Sequence, residues 1–428
     1  MSKFRTLALS GAAFVALSAQ AHAAGFYLQE QSVIGTGRAY SGEVTDQGPA
    51  SLWWNPASIA SSPAEIYAGV SGVLVSSKVS NNGSTITYPG GVTLPVSGVG
   101  KASDPIQNGA APSFAIATPV GDRFAVGASL TAPYNFTTKY NGDSWARYDA
   151  LDTRLTTADL QLTGAMKAAS WLDLGIGVDA EYTNAKLQTA SPNLSPLLPD
   201  GINQLSGEGW NYGYVLGAQA HFDRWSFGAS YRSAMAHDLH GHVFVGGLLG
   251  PLAAANADGD GSANFTTPWI ATVGARYRLT DRLTLEAQVQ HFGWSEFDAI
   301  DIRTAAGNQS LAQNYKDTTT GAVGFDYALN RKLTLRAGVQ YDPTPTPDAE
   351  RTARVPDSNR WLISAGATAQ VTPRIKLDAA ISYIDFADST IHHDSVFYGG
   401  TPAAVTTALQ GDVSGEGLVL AVGMRTRF

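Results

Sequence analysis

The sequence predicts an all-β fold: a fourteen-stranded antiparallel transmembrane β-barrel with an N-terminal hatch, or plug, inside the lumen. Three observations predict it. Alternating apolar and polar positions repeat in runs of ten or more residues along most of the chain. The connections between those runs alternate between tight turns and long polar loops. A leader-like N-terminus is followed by an apolar segment of some forty residues that does not share the alternation.

Residues 1–23 read as a secretory signal: Lys3 and Arg5, an apolar run from Leu7 to Leu17, then Ala21-His22-Ala23 with cleavage expected after Ala23. The run is too short to anchor the chain as a helix. About 405 residues remain (428 minus 23), with 45 Gly, 17 Tyr, 16 Phe and 9 Trp, a usage that suits twisted strands with aromatic girdles at the membrane interfaces. There is no cysteine, so neither a disulfide nor a thiolate metal site is possible, and a closed barrel holds an exported chain by backbone ladders instead. The formal charge of −8 becomes −10 once Lys3 and Arg5 leave with the signal (26 basic against 36 acidic residues), which argues against nucleic acid as a partner.

Residues 24–62 are expected to form the hatch. Gly25-Phe26-Tyr27, Gly35 to Gly42 and Trp53-Trp54-Asn55-Pro56-Ala57 break the alternation, some forty residues are too many for a tail and too apolar to lie in water, Gly35 and Gly37 permit tight turns, and Pro56 biases Asn55 away from helix. No strand precedes Gly35-Thr36-Gly37 and no Lys-Ser/Thr pair follows, so it is not a phosphate loop.

Residues 63–428 are expected to form the barrel. Leu283, Leu285, Ala287 and Val289 face one side and Thr284, Glu286, Gln288 and Gln290 the other; the strands from Leu333 and Ile375 repeat the pattern. Apolar residues outward and polar residues inward is the membrane arrangement. Tight turns at 121–122, 169–170, 223–224, 280–281, 330–331 and 372–373, with long loops near 80–108, 140–152, 189–206, 247–262, 304–314, 343–353 and 392–411, imply fourteen strands with both termini in the periplasm. The last strand, Leu418 to Phe428, ends on an aromatic residue, and Phe428 resembles the signal read by barrel-assembly machinery.

At the pre-barrel residues the chain resembles the FadL-type outer-membrane long-chain fatty acid transporters, a family that includes aromatic-hydrocarbon channels. The resemblance lies in Ala24-Gly25-Phe26, Gly37-Arg38-Ala39-Tyr40-Ser41-Gly42 and Asn55-Pro56-Ala57, which look like its hatch, then in Trp225 to Ser233, Trp294 to Phe297, Tyr315-Lys316-Asp317 and Val355 to Trp361. It covers nearly the whole mature chain. It implies a monomeric barrel in the Gram-negative outer membrane, passive uptake of a hydrophobic small molecule, and lateral release into the outer-membrane lipid through a gap in the wall. It implies no enzymatic activity and no cofactor.

A hydrophobic solute gains about 25 cal/mol per Å² of apolar surface removed from water, so it needs an apolar relay rather than a wide aqueous pore. Phe26, Tyr27, Trp53 and Trp54 are candidates to line it, although packing against the wall is an equally good account of them. A wall opening requires a strand that fails to pair. Ala132-Pro133-Tyr134-Asn135 supplies one, because Pro133 lacks the N–H for a ladder bond, and the position is similar to that of the family's gap; Pro133 could instead mark the end of its strand. Fatty-acid members of the family place basic residues at two positions that fall here on Thr189 and Leu311. Neither is charged, which favours neutral substrates, and Lys186 and Lys316 are the nearest cations.

The loop 256–261, with Asn256, Asp258 and Asp260, has oxygens for Ca²⁺ but no closing Glu, so a solvated turn is the better reading and no metal site is assigned. His237, His240, His242, His392 and His393 read as interfacial or loop histidines. No Ser-His-acid spacing marks a hydrolase. Two other functions remain open: a general diffusion porin, which the apolar hatch segment argues against, and a structural or adhesive barrel, for which the loops would matter and the lumen would not.

Overall fold

The computed structural model describes residues 25–305 and 307–428. The signal segment 1–23 lies outside the described residues. The wall has fourteen strands, each antiparallel to its neighbours, and the fourteenth closes on the first with Glu65 opposite Arg427. In order they are Glu65–Asn81, Gly109–Val120, Phe124–Thr131 continued by Asn135–Lys139, Asp152–Ala169, Leu172–Ser191, Gly201–His221 and Trp225–Arg232 continued by Met235–Gly246. There follow Ala257–Thr267 continued by Trp269–Arg278, Leu283–Gly293 continued by Ala299–Thr304, Gly307–Ala312 continued by Thr318–Ala328, Leu333–Asp342, Arg360–Gln370, Ile375–Phe397 and Val405–Arg427. All six tight turns fall where the sequence places them.

The outer connections are shorter than expected in four places. The ninth and tenth strands pair as far out as Thr304 opposite Gly307, so most of the expected loop 304–314 is strand, and strand structure also claims much of 189–206, 247–262 and 392–411. Ala257–Thr267 is strand, paired with Met235 to Val245, so residues 257–261 are not the free turn that loop 256–261 suggested. Polar strands beyond the membrane keep their ladders because each has a neighbour to pair with, which side-chain polarity alone does not reveal.

Alternation sets the two faces of the wall. Leu285 and Val289 are 42% and 45% exposed, while the alternate residues Glu286, Gln288 and Gln290 are buried. Aromatic rings stand on the outer face near the short turns, Trp171 stacked on Phe222 and Trp225 tilted against Tyr277, and again at a second level where Tyr231 meets Trp269 and Tyr341 meets Trp361. Amphipathic rings at two levels with aliphatic residues between them is the distribution that a bilayer favours.

Residues 25–60 are buried apart from Asp46 and Gln47, and they pack against strands from all round the wall. Helix Val33–Thr36, capped by Ser32, lies on the last strands, and the 3-10 turn Pro56–Ile59, capped by Asn55, lies on the fourth to sixth. Wall glycines make this possible. A Cβ at Gly175 would collide with Ala57, at Gly217 with Asn55, at Gly228 with Val44 and at Gly338 with Arg38. Gly35 and Gly37 stand where the chain turns after the helix, as expected, the Gly35 carbonyl accepting from the amides of Arg38 and Tyr40, and they also serve close approach, toward Tyr40 and Glu43 and toward Gly366. The non-glycine residues in left-handed conformation here are Ala39 and Tyr40.

The segment is also held by charge. Arg38, fully buried, pairs with Glu43 and Asp46 at 2.6 Å and with Glu286 of the ninth strand at 3.1 Å. Arg276 reaches Asp46 and Glu286 at 2.8 Å, and Arg336 reaches Asp326 at 3.1 Å. Removing one member of such a network strands the rest, at a cost of about 3–5 kcal/mol. Arg38→Met should therefore speed hydrogen exchange of the amides of residues 33–46 without changing the wall strands; unaltered exchange would show that glycine packing alone holds the segment.

Candidate functional site

Breaks in the ninth and tenth strands bring aromatic residues inward. The ninth strand is interrupted by the turn Trp294–Glu296, and the tenth between Ala312 and Thr318, with the amide of Ser295 donating to Asp317 at 2.8 Å across the two breaks. These interruptions carry Trp294, Phe297 and Tyr315, three residues of the motifs behind the family resemblance. Phe26 packs among them, its ring centroid 5.1 Å from Trp294 and 5.0 Å from Phe297. The third motif, Val355 to Trp361, fixes the start of the same segment: Asp357 accepts from the Gly25 amide at 2.8 Å and from Thr344 at 2.5 Å. Burial pushes the Asp357 carboxyl up to about 6, with Arg360 and its two donors opposing.

Beside this cluster is an apolar pocket walled by Phe26, Phe136, Leu155, Leu205, Phe265 and Phe297 among others. Above it is a wider vestibule of about 1060 Å³, lined by the outer parts of many strands, with Asp149, Asp258, Glu350 and His393 among its polar groups. Leu187, Leu205, Gln313 and Arg354 border both spaces. A solute leaving water thus meets polar walls first and apolar walls next, the order that a hydrophobic gradient requires.

The expected site residues divide. Phe26 lines the pocket. Tyr27 and Trp53 stand outside the pocket lining, Trp53 Nε1 donating to the Tyr27 hydroxyl at 2.9 Å, and Arg232 lies 3.6 Å over the Trp53 ring. Trp54 stacks on Tyr40. Asn55 donates to the carbonyls of Val44 at 2.7 Å and Ala218 at 3.1 Å, tying Pro56 and Ala57 to the wall. Lys186 pairs with Asp152 at 2.8 Å and Lys316 is exposed; neither borders the pocket. Thr189 and Leu311, the uncharged family positions, do line the vestibule. Arg354, which the sequence reading did not single out, borders both spaces. Of the histidines, His237 is buried between Thr183 and Thr267, each 3.2 Å away, and stacks on Phe265, while His393 pairs with Asp149 at 2.7 Å.

The third strand is interrupted at Pro133. Its ladder with the second strand stops at Leu130 opposite Phe114, and an isolated pairing of Thr138 with Ile106 follows eight residues later on both strands (130 to 138, 114 to 106), so the register does not slip. Between them the backbone turns to the N-terminal segment: the Ala132 amide donates to Gln31 at 3.0 Å, and the Pro133 carbonyl accepts from Leu28 at 2.7 Å. Asn135 donates to the Ala132 carbonyl at 3.2 Å, and the Tyr134 amide donates to Thr157 at 3.0 Å. Pro112 stands opposite Ala132 in that register and also lacks an N–H; facing pairs alternate between bonded and non-bonded, so one of the two prolines removes a donor from this ladder and the other from a ladder with the next strand.

Known proteins share this architecture. A long-chain fatty acid transport protein of Escherichia coli is 27% identical over 407 residues, 86% of this chain and 88% of its own. The crystal structure of a Pseudomonas aeruginosa FadL homologue superimposes with a TM-score of 0.82 at 24% identity, covering 95% of this chain and all of that one. The Pseudomonas putida toluene transporter TodX gives 0.66 at 18% identity, over 95% and 100%. The family model for outer membrane protein transport proteins (OMPP1/FadL/TodX) matches residues 14–428. Closed membrane barrel, interrupted strands and family match agree: the chain belongs to the OMPP1/FadL/TodX family of outer membrane transport proteins and crosses the Gram-negative outer membrane many times.

Proposed function

We propose that the protein takes up hydrophobic small molecules, long-chain fatty acids or aromatic and aliphatic hydrocarbons, passively across the outer membrane. The observation that carries this is the apolar pocket below a polar vestibule, inside a barrel whose N-terminal segment leaves little room for a continuous aqueous path. In this reading residues 24–62 are the hatch and 63–428 the barrel, acting as a monomer, with Phe428 presented to the assembly machinery. Solute passes from the vestibule to the pocket at Phe26, then moves past the cluster of Tyr27, Trp53 and Tyr134. It leaves sideways into lipid where Pro133, Tyr134 and Asn135 depart from the ladder, since an oily molecule is more stable in lipid than in periplasmic water.

The test is uptake of radiolabelled oleate and toluene by cells with and without the gene. Ala263 borders the pocket, and Ala263→Trp should fill it and bring uptake close to that of the deletion strain with normal surface expression. Equal uptake with and without the gene would rule the function out. Normal uptake by the Trp variant would remove the pocket from the path.

A further inference from the structure

Three successive short turns of the barrel are built alike. Leu279-Thr280-Asp281-Arg282-Leu283 joins the eighth and ninth strands, Leu329-Asn330-Arg331-Lys332-Leu333 the tenth and eleventh, and Val371-Thr372-Pro373-Arg374-Ile375 the twelfth and thirteenth. Each lies just past the last pair of its hairpin: Arg278 with Thr284, Ala328 with Thr334, and Gln370 with Lys376. The second residue caps the turn in all three. The side-chain oxygen of Thr280, Asn330 or Thr372 accepts from the amides two and three residues on at 2.8–3.3 Å, and its own amide donates to the carbonyl three residues on at 3.2–3.3 Å. Side chains that bond their own turn fix its shape, so each turn presents its other residues from the same backbone.

What the turns present is also the same. The first residue is an exposed aliphatic, Leu279 at 42%, Leu329 at 44% and Val371 at 57%. The fourth is an exposed cation, Arg282, Lys332 or Arg374, and among the described residues none of these three side chains has a hydrogen bond or ion pair. Arg331 adds a fourth cation, and Asp281 is the one acidic residue of the three turns. The chain as a whole carries a formal charge of −8, so a basic arc along this rim does not follow from composition.

An acidic partner in water would account for the cations and not for the aliphatic residues beside them. An uncharged lipid would account for the aliphatic residues and not for the cations. A molecule with both acyl chains and a phosphate matches both, since guanidinium and ammonium groups bind phosphate oxygens by charge-assisted hydrogen bonds while the aliphatic residues stay in hydrocarbon.

We propose that this arc binds anionic phospholipid in the leaflet at the short-turn end of the barrel, the end that the sequence places in the periplasm. Arg282, Arg331, Lys332 and Arg374 hold the phosphates, and Leu279, Leu329 and Val371 lie against the acyl chains. The arc is at the opposite end of the wall from the vestibule, so this lipid is a ligand of the scaffold and not cargo, and the proposal does not depend on the uptake reading.

Titration of the full barrel, purified in neutral detergent, with dioleoylphosphatidylglycerol or dioleoylphosphatidylcholine tests this, with bound lipid counted by native mass spectrometry. The two probes share their tails and differ in net charge. The wild type should hold the anionic lipid about tenfold or more tightly than the zwitterionic one. The triple variant Arg282→Gln, Lys332→Gln, Arg374→Gln should lose most of that preference, at about fivefold for each cation removed, and keep heat-modifiable gel mobility. Lys78→Gln, Lys101→Gln, Lys139→Gln together remove the same charge from exposed residues at the other end and should leave the preference intact. No preference in the wild type, or one that the first variant keeps, would overturn the proposal. Equal loss in both variants would also overturn it, by making net charge the cause. Displacement of bound phosphatidylglycerol by millimolar glycerol 3-phosphate would assign the arc to a soluble phosphate and overturn it as well.

Discussion

Deletion of residues 27–57 should turn a selective barrel into a leaky one. The segment occupies the interior by backbone contact at wall glycines such as Gly175, Gly217 and Gly338, and by the Arg38 network. Taken away, it leaves strand faces lined by Glu286, Gln288, Gln290, Arg336 and Asp378, a polar surface that water fills readily. The wall ladders do not depend on the segment, so the variant should still assemble and keep heat-modifiable gel mobility. In planar bilayers it should give discrete, frequent openings where the wild type gives little conductance, and cells carrying it should admit large polar antibiotics. Entry no faster than in wild-type cells would mean that the segment does not block the lumen.

Closing the third strand should abolish uptake without unfolding the barrel. Replacing Pro112 and Pro133 by Val restores two amide donors, one of them facing the ladder between the second and third strands, and β-branched residues at Tyr134 and Asn135 favour strand pairing. Because the register is the same on both sides of the interruption, the ladder can continue through it without a slip. The bonds from Gln31 and Leu28 to Ala132 and Pro133 would be given up. Oleate uptake should fall to that of cells without the gene, with surface expression and gel mobility unchanged. Normal uptake through a wall shown to be continuous would rule out this exit and leave a periplasmic route.

The wall was largely legible in the sequence because a membrane barrel writes both faces of each strand into alternate residues. Leu285 and Val289 against Glu286 and Gln288 is a local signal that needs no knowledge of neighbours. Pro133 was legible for a similar reason, since a missing donor is a property of one residue. Pro112 was not singled out, because its importance depends on facing Ala132 across the register. The outer strand ends were misjudged at 304–314 because polar sequence is common to solvated loops and to strands that rise above the membrane. Arg354 was illegible: its lack of a counter-charge follows from Asp149, 205 residues earlier, being held by His393 and Ala353. The same applies to Lys186, whose pairing with Asp152 depends on the register of the fourth and fifth strands. The wall glycines were counted, but which of them carry the N-terminal backbone is set by how that segment docks.

The central claim is that hydrophobic solute passes through the apolar pocket at Phe26. Its most direct test is a crystal structure of the protein with a fatty acid brominated along its tail, located by the anomalous signal of the bromine. The account predicts that signal among Phe26, Leu205 and Phe265. Bromine found only on the lipid-facing wall or in the vestibule, with the pocket empty at saturating ligand, would contradict it.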